Sequence, residues 1–294
     1  MTEAHVVVTP PERRVELRLR DGRRLAWSEW GPVDGAPVLF CTGAGMSGWL
    51  GFGTDVLPDL RLRLLAIDRP GLGRSDPHPT KTLASWAEDV GELVNRHALA
   101  APLVVGFSQG APFALALASA GLARAVALVS GQDELAHPRV RPHLAPPVAA
   151  MVDAAERDAT GFEQEIARSA SSDWLWRLVL DMSSERDRAV YGTGVFGVAY
   201  EQALREGFAQ GAGPYARDVV NAMRSWPFAL ENIDVPVDLW YGGQDTSPVH
   251  SPDFGATLAE RLPRAARVFD VAEGSSILWT RAGDILSRLK SADT

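Results

Sequence analysis

The segment Gly106-Phe107-Ser108-Gln109-Gly110 sets a serine between two glycines, just after the apolar run Leu103–Val105 and just before a small-residue helical pattern, Ala111–Ala120. A sharp strand-to-helix turn there would lift the serine out of a sheet, and it requires small neighbours, which the glycines supply. A hydroxyl is a weak nucleophile until a base takes its proton. So held, Ser108 could attack an acyl carbon; the plainer reading is a structural turn serine. The same turn puts the Gln109 backbone N–H at a helix start, where the dipole favours an oxyanion. This chemistry calls for a histidine, and six are present: His5, His78, His97, His137, His143 and His250. The single cysteine, Cys41, lies in an apolar run and reads as inert packing; it excludes an internal disulfide and fits a reducing compartment.

The elements that must position Ser108 follow from hydrophobic patterning. "VELRLR" (15–20) alternates apolar and polar, and Asp21-Gly22 turns it into "RLAWSEW" (24–30), an antiparallel hairpin at a sheet edge. The runs "PVLFCTG", "LRLLAID", "LVVGFS" and "AVALVSG" are continuous and apolar, as in strands buried on both faces. Between the second and third, "TLASWAEDVGELVNRHAL" has helical spacing with Thr82 as N-cap. A crossover helix between buried strands implies a mostly parallel sheet. From about Asp133 to Trp226 strand runs give way to helical stretches, and strand rhythm resumes at "PVDLWYGGQD". The expected organisation is an α/β core over 1–132, a helical cap over 133–226 and the rest of the core over 227–294.

Bulk properties narrow the function classes. A hydrophobic share of 46% with 22% charged residues gives an ordinary globular chain with a sizeable core. The net charge of −8 disfavours nucleic-acid and anionic-membrane partners. Neither a signal peptide nor an apolar run near the roughly 20 residues of a membrane span is visible, so a soluble cytoplasmic protein is expected. There is no metal-ligand spacing, and "CTGAGMSG" lacks the register of a dinucleotide loop, so no cofactor is expected.

With the elbow following a buried strand and opening a helix, the chain resembles the α/β-hydrolase superfamily over nearly its whole length. "LFCTGAG" resembles the family's oxyanion loop after the third strand, which implies the Ala44 N–H as a second donor beside Gln109. "AIDRPGLGRSDP" is similar to the segment after the fourth strand, where Asp68, Arg74 and Ser75 would be structural. "LWYGGQDTSPV" resembles the acid-bearing loop and nominates Asp245, which in the family orients a histidine and stabilises its charged form.

The family's histidine follows the last strand in a Gly-His step, and here Gly274 is followed by Ser275. Three explanations stand open: an engineered substitution at Ser275, a base relocated to His250 or a cap histidine, or a protein that no longer hydrolyses anything. His250 lies five residues after Asp245, so it is either a displaced base or a surface or capping residue. His5 and His97 read as surface residues and His78 as loop surface, while His137 and His143 could line the pocket. Thr42 stands where the family commonly has His-Gly. Trp174, Tyr191, Phe196 and Tyr200 are the aromatic candidates for a pocket under the cap, with Trp176, Met182, Phe208 and Tyr215 beside them. They favour a partly apolar small-molecule substrate.

The resulting expectation is a serine hydrolase acting on an ester, thioester, lactone or amide. The alternative is a non-hydrolytic member, a ligand-binding protein or one that shapes a substrate without an acyl intermediate. Dehalogenase and epoxide-hydrolase chemistry are disfavoured, because those relatives carry a carboxylate at the elbow.

Overall fold

A computed structural model describes residues 6–292, so His5 lies outside the described residues. Eight strands form one sheet: β1 (Arg13–Arg18), β2 (Arg24–Trp30), β3 (Ala36–Cys41), β4 (Leu62–Ile67), β5 (Leu103–Phe107), β6 (Ala125–Val129), β7 (Val237–Gly242) and β8 (Ala265–Asp270). Their spatial order is β1-β2-β4-β3-β5-β6-β7-β8. The hairpin β1–β2 is antiparallel and forms one edge, β2 meets β4 antiparallel, and β3 to β8 run parallel. This is the α/β architecture expected. It follows from the patterning, since the inner strands are apolar on both faces: Val38 and Phe40 enter one core, Leu39 and Cys41 the other.

In the first half of the chain the helices are α1 (Leu57–Leu60), α2 (Leu83–Arg96) and α3 (Gly110–Ser119). Thr82 caps α2 as expected: its side chain accepts from the Ser85 N–H, and the Ser85 hydroxyl returns the bond. Between β6 and β7 lie six helices: α4 (Pro146–Arg157), α5 (Ala159–Ser169), α6 (Ser172–Met182), α7 (Glu185–Tyr191), α8 (Gly194–Gly207) and α9 (Gly213–Met223). The apolar periodicity of "PPVAAMVDAAERDA", "SDWLWRLVLDM", "FGVAYEQALREGFAQG" and "GPYARDVVNAMRSW" points to α4, α6, α8 and α9. It passed over α5 and α7, whose termini are nevertheless marked by the side-chain caps Asp158 and Ser184. After β7 come α10 (Ala256–Arg261), α11 (Ile277–Thr280) and α12 (Ala282–Ser291). The helical pattern "ILWTRAGDILSRLK" reads as one last helix, and the structure breaks it at Arg281. No helix among the described residues is long and apolar enough to cross a membrane.

The parallel strands place several loops along one rim of the sheet: residues 42–48 after β3, Arg69 after β4, Ser108 after β5, Asp245 to Ser251 after β7, and Ser275 after β8. In open α/β sheets the carboxyl ends of the strands form the ligand-facing crevice.

Candidate active site

Ser108 occupies the turn between β5 and α3 with φ of 51°. A non-glycine residue in the left-handed region stores on the order of 1–3 kcal/mol, which the surroundings must hold in place. They do so from three sides. Its N–H donates to the Val129 carbonyl at 3.1 Å, and its own carbonyl accepts from Ala111 and Gln132 N–H, each at 3.0 Å. The flanking glycines are required sterically. A Cβ on Gly110 would lie 2.1 Å from the Cys41 carbonyl oxygen, and one on Gly106 would lie 2.7 Å from the Ala114 Cβ. Sequence spacing alone thus anticipated both the turn and its cause.

Of the candidate bases, the structure brings His250 to the elbow. Its Nε2 lies 2.8 Å from Ser108 Oγ, and its Nδ1 lies 2.7 Å from Asp245 Oδ2. The other Asp245 oxygen accepts from the Ser247 N–H at 3.0 Å. Both side chains are shielded, His250 at 8% and Asp245 at 3% exposure, so the expectation of a surface or capping role for His250 is corrected. The loop is tied down immediately after the ring. Ser251 N–H donates to the Gly131 carbonyl at 3.0 Å, and Ser251 Oγ donates to Asp133 Oδ2 at 2.9 Å. Burial pushes the Asp133 carboxyl up to about 6.

Ser275 occupies the position after β8 but makes a different contact. Its hydroxyl pairs with the Tyr191 hydroxyl at 3.0 Å, and its carbonyl accepts from Ser130 Oγ at 3.2 Å. Burial pushes Tyr191 well above its ordinary value, so it stays a neutral phenol. The neighbouring Asp187, fully buried on α7, accepts from the Ser276 N–H at 2.8 Å and fills the space a Cβ on Gly274 would need. The remaining described histidines are elsewhere. His97 is exposed and edge-on to Trp27, and His143 is exposed. The half-buried His78 and His137 have hydrogen-bond contacts with Thr80 Oγ1 and the Arg139 N–H. His137 and His143 therefore do not line the pocket, contrary to expectation; the turn that carries them is held by ion pairs of Arg139 with Glu260 and of Arg141 with Asp153.

A cavity of about 400 Å³ opens beside Ser108. Ala44, Gln109, His250 and Ser275 lie on its wall, with Trp174, Tyr191, Tyr200, Tyr215 and Met182 from the helical segment. Thr42 and Phe196 lie behind the wall. Thr42 is fully buried, with its hydroxyl donating to the Met46 carbonyl at 3.0 Å, and Phe196 stacks on Tyr191 and meets Trp279 edge-on. Much of the apolar wall was not singled out from the sequence: Leu175, Leu178 and Val179 follow Trp174 at helical spacing along α6, and Val148 and Met151 come from α4. That periodicity was visible, but it cannot separate a wall from a core.

The segment after β4 has the structural part expected of it. Asp68 accepts from the Gly48 N–H at 2.6 Å and the Arg74 N–H at 2.9 Å, and burial pushes it up to about 6. Ser75 Oγ donates to the Asp68 carbonyl at 2.6 Å, and Arg74 reaches the Val15 and Trp27 carbonyls. Cys41 is buried in β3 and its thiol is pushed up to about 12, which agrees with inert packing.

Such an arrangement can pass a proton from a serine hydroxyl to an imidazole steadied by a carboxylate, next to an apolar chamber. Against known proteins, the family model described as "alpha/beta hydrolase fold" matches residues 36–282. No curated protein matches the sequence. Among solved structures, a hydrolase from Pseudomonas aeruginosa PA01 aligns with a TM-score of 0.70 at 17% identity, covering 95% of this chain and 97% of that one. An enol-lactonase from Burkholderia xenovorans LB400 aligns at 0.67 and 19%, covering 95% and 99%. The esterase RhEst1 from Rhodococcus sp. ECU1013 aligns at 0.60 and 19%, covering 97% of each.

Proposed function

The chain belongs to the α/β hydrolase fold family, and from that premise we propose that it is a serine hydrolase cleaving an acyl bond of a small, uncharged, largely apolar substrate. The observation that carries this reading is the unbroken run of short contacts Asp245–His250–Ser108. His250 Nε2 takes the Ser108 proton as Oγ attacks the carbonyl carbon, and Asp245 stabilises the imidazolium. The Ala44 and Gln109 backbone N–H groups hold the oxyanion. Collapse of the tetrahedral intermediate expels the leaving group with the proton from His250, and water then repeats the sequence on the acyl-enzyme. In this reading the base has moved from the end of β8 to the loop after β7, and Ser275 has become a wall residue.

The substrate class rests on the wall's chemistry. Among the described residues no lysine, arginine, aspartate or glutamate side chain lines the cavity. A charged substrate group would be desolvated there without a partner, which is strongly unfavourable. The helices α4 to α9 act as the roof, and esters, thioesters or lactones with a medium aliphatic or aryl acyl group fit the chamber. Esterase and lactonase chemistry, named for two of the structural neighbours, belongs to the same class.

A fluorophosphonate probe tests the nucleophile. Labelling of the wild type and none of Ser108→Ala is expected, together with hydrolysis of p-nitrophenyl butanoate in preference to p-nitrophenyl hemisuccinate. An unlabelled wild-type protein that leaves both esters intact would overturn the reading.

A further inference from the structure

Behind the loop that carries Ala44 lies a group of charged side chains with no part in the proton relay. Arg69, Lys81 and Asp218 are each 0–1% exposed. Arg69 Nε meets Asp218 Oδ2 at 2.8 Å, and Lys81 Nζ pairs with Asp218 Oδ1 at 2.5 Å. Lys81 also donates to the Pro70 carbonyl at 2.9 Å and the Pro214 carbonyl at 3.3 Å. The rest of the guanidinium grips the loop: Nη1 donates to the Thr42 carbonyl at 2.6 Å and Nη2 to the Gly43 carbonyl at 2.9 Å. The Phe113 ring of α3 lies 4.7 Å from it.

A buried ion pair is weak evidence for stability, because desolvation offsets much of the attraction. These bonds do something more specific. A trans peptide is planar, so a carbonyl and the next residue's N–H point in opposite directions. With the Gly43 carbonyl drawn onto Arg69, the Ala44 N–H faces away from the guanidinium, and Ala44 lines the cavity beside Ser108. The bond is charge-assisted, which polarises the peptide and strengthens its N–H as a donor. Arg69 and Lys81 share the one carboxylate, which fixes the guanidinium behind that peptide.

The carboxylate comes from α9. Tyr215, Val219 and Met223 of the same helix lie on the cavity wall, so one helix both touches the chamber and steadies Arg69. We propose that Asp218 is a positioning residue: through Arg69, and with Lys81 completing the buried cluster, it aims the Ala44 amide at the oxyanion, so that the hole is complete only while α9 is seated. This inference rests on Ser108 being the nucleophile.

The test compares wild type with Asp218→Asn and Arg69→Lys in the full chain, using p-nitrophenyl butanoate and an aryl trifluoromethyl ketone. The ketone's adduct with a serine places an oxyanion in the hole. Arg69→Lys retains every charge, but one ammonium cannot span Asp218, Thr42 and Gly43 as the guanidinium does, so it serves where Asp218→Asn fails to fold. Rates are taken per fluorophosphonate-titrated site, which removes any effect of a reduced folded fraction. The expected result is a kcat lower by roughly 10–100-fold with KM within about twofold, the scale of a small misplacement of a catalytic group. Affinity for the ketone should fall in parallel. Variants whose kcat per site and ketone affinity stay within about twofold of wild type would overturn the inference while leaving Ser108 as nucleophile. A wild type that takes up no fluorophosphonate would overturn both.

Discussion

Exchanging the two candidate base positions gives the most direct test of the site. In His250→Ala, the ring that contacts Ser108 at 2.8 Å and Asp245 at 2.7 Å is removed. None of the other described histidines lies on the cavity wall, so no imidazole is at hand to replace it. Loss of the base from a serine triad lowers kcat by roughly 10⁵–10⁶-fold. At 1.36 kcal/mol per decade that is about 7–8 kcal/mol of transition-state stabilisation. Ser275→His tests the opposite placement. Ser275 is 6% exposed and its hydroxyl is already 3.0 Å from the Tyr191 hydroxyl, so an imidazole must displace the phenol or the loop. Overpacking of this kind costs about 1–3 kcal/mol of stability. The expected outcome is a less stable protein with no gain in turnover, and a double variant as inactive as His250→Ala. Steady-state kcat/KM on p-nitrophenyl butanoate, with urea unfolding of each variant, measures both effects. A tenfold or greater acceleration by Ser275→His, or more than about a tenth of wild-type activity left in His250→Ala, would refute this assignment.

Two other outcomes follow from the same geometry. Gly110→Ala forces a methyl to within 2.1 Å of the Cys41 carbonyl oxygen, so α3 must part from the end of β3. A fall in stability of about 1–3 kcal/mol, with a loss of turnover out of proportion to it, is expected by thermal unfolding and ester assay; unchanged activity would show the close approach to be unnecessary. Asp133 has a folded-state value raised from 3.8 to about 6 by burial, so the folded protein holds this proton where the unfolded chain has released it. Its contribution is therefore fully present below about pH 4 and is lost as pH rises through 6, a change of roughly 3 kcal/mol. In Asp133→Asn the urea-unfolding free energy should decline less between pH 4 and 6 than in wild type, and identical slopes would contradict the assignment.

What the sequence disclosed depended on how local the physics was. The turn at Ser108 is set by backbone sterics within five residues, so Gly106 and Gly110 announce it. Buried parallel strands announce themselves through continuous apolar runs, and Thr82 marked α2 because a cap acts within one helical turn. His250 was ambiguous for the opposite reason. Its nearness to Ser108 is created by the adjacency of the ends of β5, β6 and β7 and by the tie from Ser251 to Asp133, neither of which leaves a mark in linear spacing. Asp218 was invisible for the same reason: an acid among apolar residues of a helix reads as a solvated position until Arg69 and Lys81 are seen packed on it. The helix α5 was missed because it buries little besides Phe162, and α7 because its sequence is mostly charged.

In the proposed relay acid and base share a single loop, which changes what the rest of the site must do. Asp245 and His250 are five residues apart, and the backbone between them is closed by Asp245 Oδ1 on the Ser247 N–H and by the His250 N–H on the Ser247 carbonyl. A short loop with its ends already paired loses little further freedom on aligning the ring. The anchor at Ser251 fixes the pair to the loop after β6 rather than to the loop after β8. Residues 273–276 hold no histidine, and they are bonded to the helical segment, through Asp187 to the Ser276 N–H and through Tyr191 to the Ser275 hydroxyl. A shift of α7 would consequently reshape the wall around the substrate through Tyr191, whereas a shift of α9 would reach the proposed oxyanion side through Arg69. The cavity wall and the proposed oxyanion side thus answer to different helices of the segment between β6 and β7.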